Sequence, residues 1–154
     1  MNKSRKIVVF GATGNLGANI SLHLHKLGYD VIPVGHRKND NGFFQDHGMV
    51  YHSVDIEHES DFEILPQEDV YAVVHFAGML PAVMKGFSAT PYIQSIIQGT
   101  LNVLEYTHKV GANRILFPQT LFDIHHLFGT KNPIPADAQR EVPEGDHWMY
   151  VIAK

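Results

Sequence analysis

The sequence predicts an α/β protein built on one doubly wound parallel sheet, with strand order 3-2-1-4-5. Three observations carry that expectation. Short apolar runs alternate with segments of helical periodicity from residue 6 onward. The run at 70–76 (VYAVVHF) is almost continuously apolar, as in a strand covered on both faces. Three spaced glycines, Gly11, Gly14 and Gly17, join the first run to the first helical segment. Repeated strand–helix–strand units with right-handed crossovers then place helices on both sides of the sheet.

The elements follow in order. Lys6–Phe10 (KIVVF) is rich in β-branched residues and reads as the first strand. Residues 15–27 repeat Leu16, Ile20, Leu24 and Leu27 at helical spacing, and Gly28 is placed to end that helix in the left-handed region. Residues 31–34 read as a second strand, with one objection: Pro33 cannot donate to a ladder. A third strand is expected over 49–54, a short helix over 61–65 and a fourth strand over 70–76. A long helix is expected over 91–110, with Ile93, Ile96, Ile97, Leu101 and Leu104 as its apolar stripe and Gly111 as its cap. Residues 114–117 (RILF) form a fifth strand. Residues 121–139, rich in His, Pro and Asp, read as a loop, and a last helix should start near Asp146.

The chain has 154 residues, enough for one domain over 1–154. It is 44% hydrophobic and 18% charged, an ordinary globular composition. No run of eighteen apolar residues predicts a membrane span. The basic start is followed only by the short run 7–10, too little for the core of a signal peptide. With no cysteine there are no disulfides or thiolate metal sites, which suits a reducing cytoplasm. The net charge of -4, with no dense Lys/Arg block, argues against nucleic-acid binding. Eleven histidines are many, but their spacings suit no metal: His23 and His25 lie on different sides of a helix, and His125 and His126 are adjacent.

The loop Gly11-Ala-Thr13-Gly14-Asn15-Leu16-Gly17 is the sharpest feature. In a Rossmann arrangement Gly11 permits the tight turn, Gly14 lets backbone approach a pyrophosphate, and Gly17 lets helix and strand pack closely. Amide hydrogens and the helix dipole then face the anion. No Gly-Lys-Ser/Thr follows, so a nucleotide-hydrolase loop is not indicated. The expected ligand is a nicotinamide dinucleotide. An acidic residue at the end of the second strand would bind the ribose hydroxyls and repel a 2′-phosphate. Gly35 stands there instead, followed by His36 and Arg37, whose guanidinium can grip a 2′-phosphate. NADP is therefore the expected cofactor, with NAD as the alternative if Asp40 swings in.

The three-residue step from Gly11 to Gly14, with several later segments in order, resembles the extended short-chain dehydrogenase/reductases, the NAD-dependent epimerase/dehydratase family. Val54-Asp55-Ile56 resembles its adenine-contacting site after the third strand. His75-Phe76-Ala77-Gly78 resembles its strand-four segment beside the cofactor. Gly99-Thr100-Leu-Asn102-Val-Leu-Glu105 resembles its long-helix signature, and Gly111 to Phe117 its entry to strand five. Tyr150 and Lys154 match its catalytic pair, and Thr120 stands where the family keeps a Ser or Thr.

The resemblance implies hydride transfer between the nicotinamide and a sugar nucleotide or similar carbonyl/alcohol substrate. Tyr150 would move the proton, Thr120 would assist, and Lys154 would hold the nicotinamide ribose. Four residues apart on a helix, Tyr150 and Lys154 share a face, and the cation is expected to lower the phenol's pKa. It also implies a homodimer formed through the long and last helices. Two departures stand out: Ile96 replaces the family's asparagine, and Pro118-Gln119 replace its serines before the catalytic hydroxyl. They favour the second expectation, a non-catalytic NAD(P)-binding or redox-sensing module. Because the family continues past the catalytic lysine into a substrate domain, a truncated or fragmentary chain is expected.

Overall fold

β1 (Lys6–Phe10) lies at the centre of the sheet, and Val8, Val9 and Phe10 have no exposed surface. The chain then runs through α1 (Asn15–Lys26), β2 (Asp30–Gly35), a single turn α2 (Phe43–Asp46) and β3 (His52–Ser53). After a 3-10 segment (Glu59–Ile64) comes β4 (Val70–His75). A continuous helical rod follows, made of α3 (Thr90–Tyr92), a π-helical stretch (Ile93–Gln98) and α4 (Gly99–Lys109). β5 (Ile115–Leu116), a 3-10 segment (Phe122–Leu127) and α5 (Trp148–Ala153) complete the order. The strands are parallel and ordered β3-β2-β1-β4-β5, as the sequence predicts. This computed structural model describes residues 5–80, 88–130, 133–142 and 148–154. Asp146, the expected start of the last helix, and the first four residues of the basic N-terminus lie outside them.

Strand alternation sorts the core into two layers. Val8, Phe10, Val34 and Val73 meet Val103 and Tyr106 of α4 on one face. Ile7, Val9, Val31 and Val74 meet Phe44 and Met49 on the other, with Ile20 and Leu24 of α1 against them. Each fully buried Val or Phe contributes roughly 1.5–3 kcal/mol, so the central strand anchors both layers.

Four expectations need correction. The expected apolar stripe of the long helix does not face the sheet. Ile96 is buried, but Ile93, Ile97, Leu101 and Leu104 are 38–48% exposed. The helix carries two apolar stripes. The sheet takes the one with Val103, Tyr106 and Val110, because Gly99 lies on it: a Cβ at Gly99 would stand 2.6 Å from Ile56 Cδ1. The third strand is two residues long, not six, because the Met49 amide turns away to the Phe44 carbonyl (2.9 Å). This also removes the objection to Pro33. Val34 faces β1 and Gly35 faces β3, so Pro33 faces β3 too, one residue before pairing begins at Val34↔His52. The fifth strand is likewise two residues, and the expected loop over 121–139 contains the 3-10 segment Phe122–Leu127. Gly28 and Gly111 have φ of 87° and 67°, the left-handed caps expected of them.

His75 ends β4 fully buried. Phe117 stacks on its ring at 5.2 Å, and Phe10 meets it edge-on at 6.2 Å. Nε2 lies 3.0 Å from the Thr100 hydroxyl, and Nδ1 has no partner among the described residues. Burial, aided by the Lys154 charge, pushes its pKa down to about 4. The unfolded chain would carry that proton below a pKa of ~6.5. Between these values the unfolded state binds more protons, so stability is lost as pH falls. The loss approaches ~3 kcal/mol at ~1.4 kcal/mol per pH unit. Urea unfolding from pH 7 to 4 should show this slope, and His75→Leu should flatten it. An equal slope in both proteins would show that His75 is not held neutral.

Candidate functional site

The cleft lies at the carboxyl ends of β1, β2 and β4, the edge at which doubly wound sheets bind ligands. It encloses about 390 Å³ and is lined by the glycine loop, the turn after β2, the segment after β3 and the segment after β4.

Gly11 has φ 78°, and a Cβ there would stand 2.6 Å from the Ala77 amide nitrogen, so the loop lies directly on the strand-four segment. Gly17 is tighter still, with its Cβ position 2.2 Å from the Gly11 carbonyl oxygen. It packs helix on strand and does not line the cleft. Gly14 differs from both. Its Cβ position meets only the Gly11 oxygen, at 3.3 Å, and otherwise opens on the cleft. Gly14 is also the N-cap of α1 and supplies no side-chain cap. The first-turn amides of a helix have no intrahelical acceptor, so those after Gly14 are presented to an anion. This is a cradle that fits a pyrophosphate. Asn15 and Leu16 begin α1 exposed, and the Asn15 side chain runs along the helix to Asn19 (3.1 Å).

Thr13, His36 and Arg37 line the cleft, the last two fully on its exposed rim. Asp40 does not reach it. One carboxylate oxygen accepts the Gly42 amide (3.2 Å) and the other the Phe44 amide, so Asp40 caps α2. Asp55 lines the cleft while accepting the Glu57 amide (3.0 Å). Ile56 is buried, and its carbonyl accepts from the Asn102 side chain (2.8 Å), which fixes this segment to α4. Phe76, Ala77 and Gly78 form the opposite wall.

The sequence reading missed Ser95. Its hydroxyl accepts the Met79 amide (3.1 Å) and donates to the Pro91 carbonyl (2.8 Å), so it ties the end of that wall to the helical rod. The only signal was a polar pair, Gln94-Ser95, between the apolar residues Ile93 and Ile96.

The proposed catalytic residues gather beyond that wall. Tyr150 is buried against Tyr92 and Ile96, with the Phe122 ring 6.0 Å away. The Thr120 hydroxyl hydrogen-bonds the Tyr150 phenol and accepts the Phe122 amide (3.2 Å). Lys154 lies one turn on, its amide bonded to the Tyr150 carbonyl (3.1 Å). Its Nζ, however, sits 4.7 Å over the Phe117 ring. The phenol's pKa is accordingly raised by burial, opposed only by the Thr120 bond, and not lowered by the lysine as expected. Burial lowers the pKa of Lys154 itself. Ile96 stands between the two regions: its Cγ1 is 3.4 Å from the Cβ position of Gly78, and it packs on Tyr150. An apolar side chain there offers no polar group to link cleft and phenol. Arg140 forms an ion pair with buried Asp123, and the Asp123 carbonyl accepts the Glu141 amide (2.8 Å), so residues 140–141 are held against the 3-10 segment Phe122–Leu127.

Comparison with known proteins agrees with the fold. A model of the NAD dependent epimerase/dehydratase family matches residues 7–154. A UDP-glucose 4-epimerase of Schizosaccharomyces pombe is 25% identical over 145 residues, covering 88% of this chain and 41% of the relative. One of Dictyostelium discoideum is 24% identical over 156 residues, covering 95% and 45%. The chain thus spans less than half the length of these curated relatives. A crystal structure of UDP-galactose 4-epimerase superposes with TM-score 0.76 at 22% identity, covering 97% of this chain and 48% of that one. The fold is likewise shared with an L-threonine dehydrogenase of Clostridium difficile (TM-score 0.73, 22% identity, coverage 97% and 46%).

Proposed function

Because the chain belongs to the NAD-dependent epimerase/dehydratase family, we propose that it is the nicotinamide-dinucleotide-binding part of an enzyme that acts on a sugar nucleotide or a similar carbonyl/alcohol substrate. The observation that carries this is the open face of Gly14 at the uncapped start of α1. The cofactor, when bound, would supply hydride transfer. The first-turn amides hold the pyrophosphate, Asp55 faces the adenine end, and Phe76–Gly78 wall the opposite side. The Tyr150 phenol, hydrogen-bonded to Thr120, gives or takes the substrate's proton. That the curated relatives are UDP-glucose 4-epimerases supports the sugar-nucleotide class.

NADP is the proposed dinucleotide. No carboxylate stands at the end of β2, Arg37 lines the cleft rim, and Asp40 is committed to capping α2. Calorimetric titration should show NADPH binding more tightly than NADH, with Arg37→Ala erasing the difference. Equal affinities in the unaltered chain would remove the role given to Arg37, and no binding of either would overturn the reading of the cleft.

The exposed stripe Ile93, Ile97, Leu101 and Leu104 supports a homodimer through this helix. Sedimentation equilibrium should find dimers at micromolar concentration, and a monomer there would overturn it. Ile96 favours a second reading, a non-catalytic NAD(P)-binding or redox-sensing module, since among the described residues it sets an apolar side chain between Gly78 and Tyr150.

A further inference from the structure

The end of β2 is crowded by two hydroxyls from elsewhere in the chain. A Cβ on Gly35 would stand 3.0 Å from the Tyr51 hydroxyl oxygen and 3.0 Å from Thr13 Oγ1. The Tyr51 hydroxyl lies 2.8 Å from the Gly35 carbonyl and 2.7 Å from the Arg37 carbonyl, so its single proton is shared across the turn. The Tyr51 ring stacks on fully buried Phe44, 6.0 Å apart and 8° from parallel, which leaves the hydroxyl little freedom. Phe44 in turn is the residue whose amide Asp40 caps.

From this we infer that Tyr51 sets the cofactor's ribose preference. Its hydroxyl pins the turn that presents Arg37 to the cleft and fills the space that a carboxylate on residue 35 would need. The inference rests on the cofactor reading above, and it assigns Tyr51 as a positioning residue, not a ligand. A carboxylate at the end of β2 is what binds both ribose hydroxyls in NAD-type sites. Here the first carbon of such a side chain already meets two oxygens at close contact. With the Gly35 and Arg37 carbonyls drawn to one oxygen, the 36–37 peptide is held bent, and the Arg37 side chain starts from a fixed point beside Thr13.

The test is a set of cofactor affinities read by calorimetry on the whole chain. Tyr51→Phe keeps the ring stack and removes one oxygen. It should weaken NADPH roughly three- to tenfold, the loss of about one hydrogen bond's worth of order, and leave NADH unchanged. A proportional loss for both nucleotides would mean a merely structural role and would overturn the proposal. Gly35→Asp alone should not improve NADH binding, whereas Gly35→Asp with Tyr51→Phe should improve it at least tenfold. If the single Gly35→Asp change already gives full NADH affinity, the space argument fails. Arg37→Ala separates the two ideas. If it leaves the NADPH/NADH ratio unaltered, the cofactor reading fails. If it erases the ratio and Tyr51→Phe does not touch it, only the present proposal fails.

Discussion

Gly14→Val should abolish dinucleotide binding, by at least ~100-fold or about 2.7 kcal/mol, in a chain that still folds. The geometry separates this glycine from its neighbours. The Cβ position at Gly14 meets one atom, at 3.3 Å, and the residue's φ of -84° and ψ of 166° is extended backbone open to any side chain. Valine therefore enters with a shift of a few tenths of an ångström, and its two methyls project into the space where the phosphates would lie. Several charge-assisted amide bonds are then lost together. Gly17→Val is the contrasting variant. Its Cβ would stand 2.2 Å from the Gly11 oxygen and 2.8 Å from Ala12 Cα, both backbone-bound atoms that cannot move aside. That change should cost the fold itself. Circular dichroism and NADPH titration on both variants check the pair. A folded Gly14→Val protein that retains affinity would defeat the assignment of the loop.

The sheet was legible because its signals are local and redundant. Lys6–Phe10 and Val70–His75 are apolar on both alternating faces, and no other element type absorbs that pattern at that length. The glycine loop was legible for the same reason, since Gly11 and Gly17 sit where a Cβ would stand 2.6 and 2.2 Å from backbone atoms, while the Cβ position of Gly14 meets only the Gly11 oxygen at 3.3 Å. What failed depended on tertiary choice. The long helix offers two apolar stripes, and which one meets the sheet turns on Gly99 fitting over Ile56, a contact 43 residues apart in the chain. The length of β3 was set by a turn at Phe44–Met49 that competes for the Met49 amide. Tyr51 was invisible because its role comes from two carbonyls 14 and 16 residues away. The chemical pair Tyr150 and Lys154 was readable as spacing, but not the direction the lysine takes. A partly buried ammonium found the face of Phe117, which no periodicity announces.

In protein that turns over substrate, Tyr150→Phe should lower the rate by roughly 10²–10⁴-fold and leave NADPH affinity as it was. The substitution removes little else. The ring keeps its edge contacts with Tyr92 at 6.5 Å and Phe122 at 6.0 Å, and it keeps its place against Ile96. Only the phenolic oxygen goes, along with its bond to Thr120, so stability should fall by no more than about 1 kcal/mol. Burial holds the phenol protonated at neutral pH in this arrangement. It is thus ready to give a proton, and taking one requires the anion. The Thr120 hydroxyl favours that anion, because a donor bonds phenolate more strongly than phenol. Oxidation of an alcohol should therefore accelerate as pH rises toward the phenol's pKa, and Thr120→Val should move that limb to higher pH. Reduction should weaken over the same interval as the proton is lost. A Tyr150→Phe enzyme with undiminished turnover, or one that also loses its cofactor, would show that the hydroxyl is not the proton carrier.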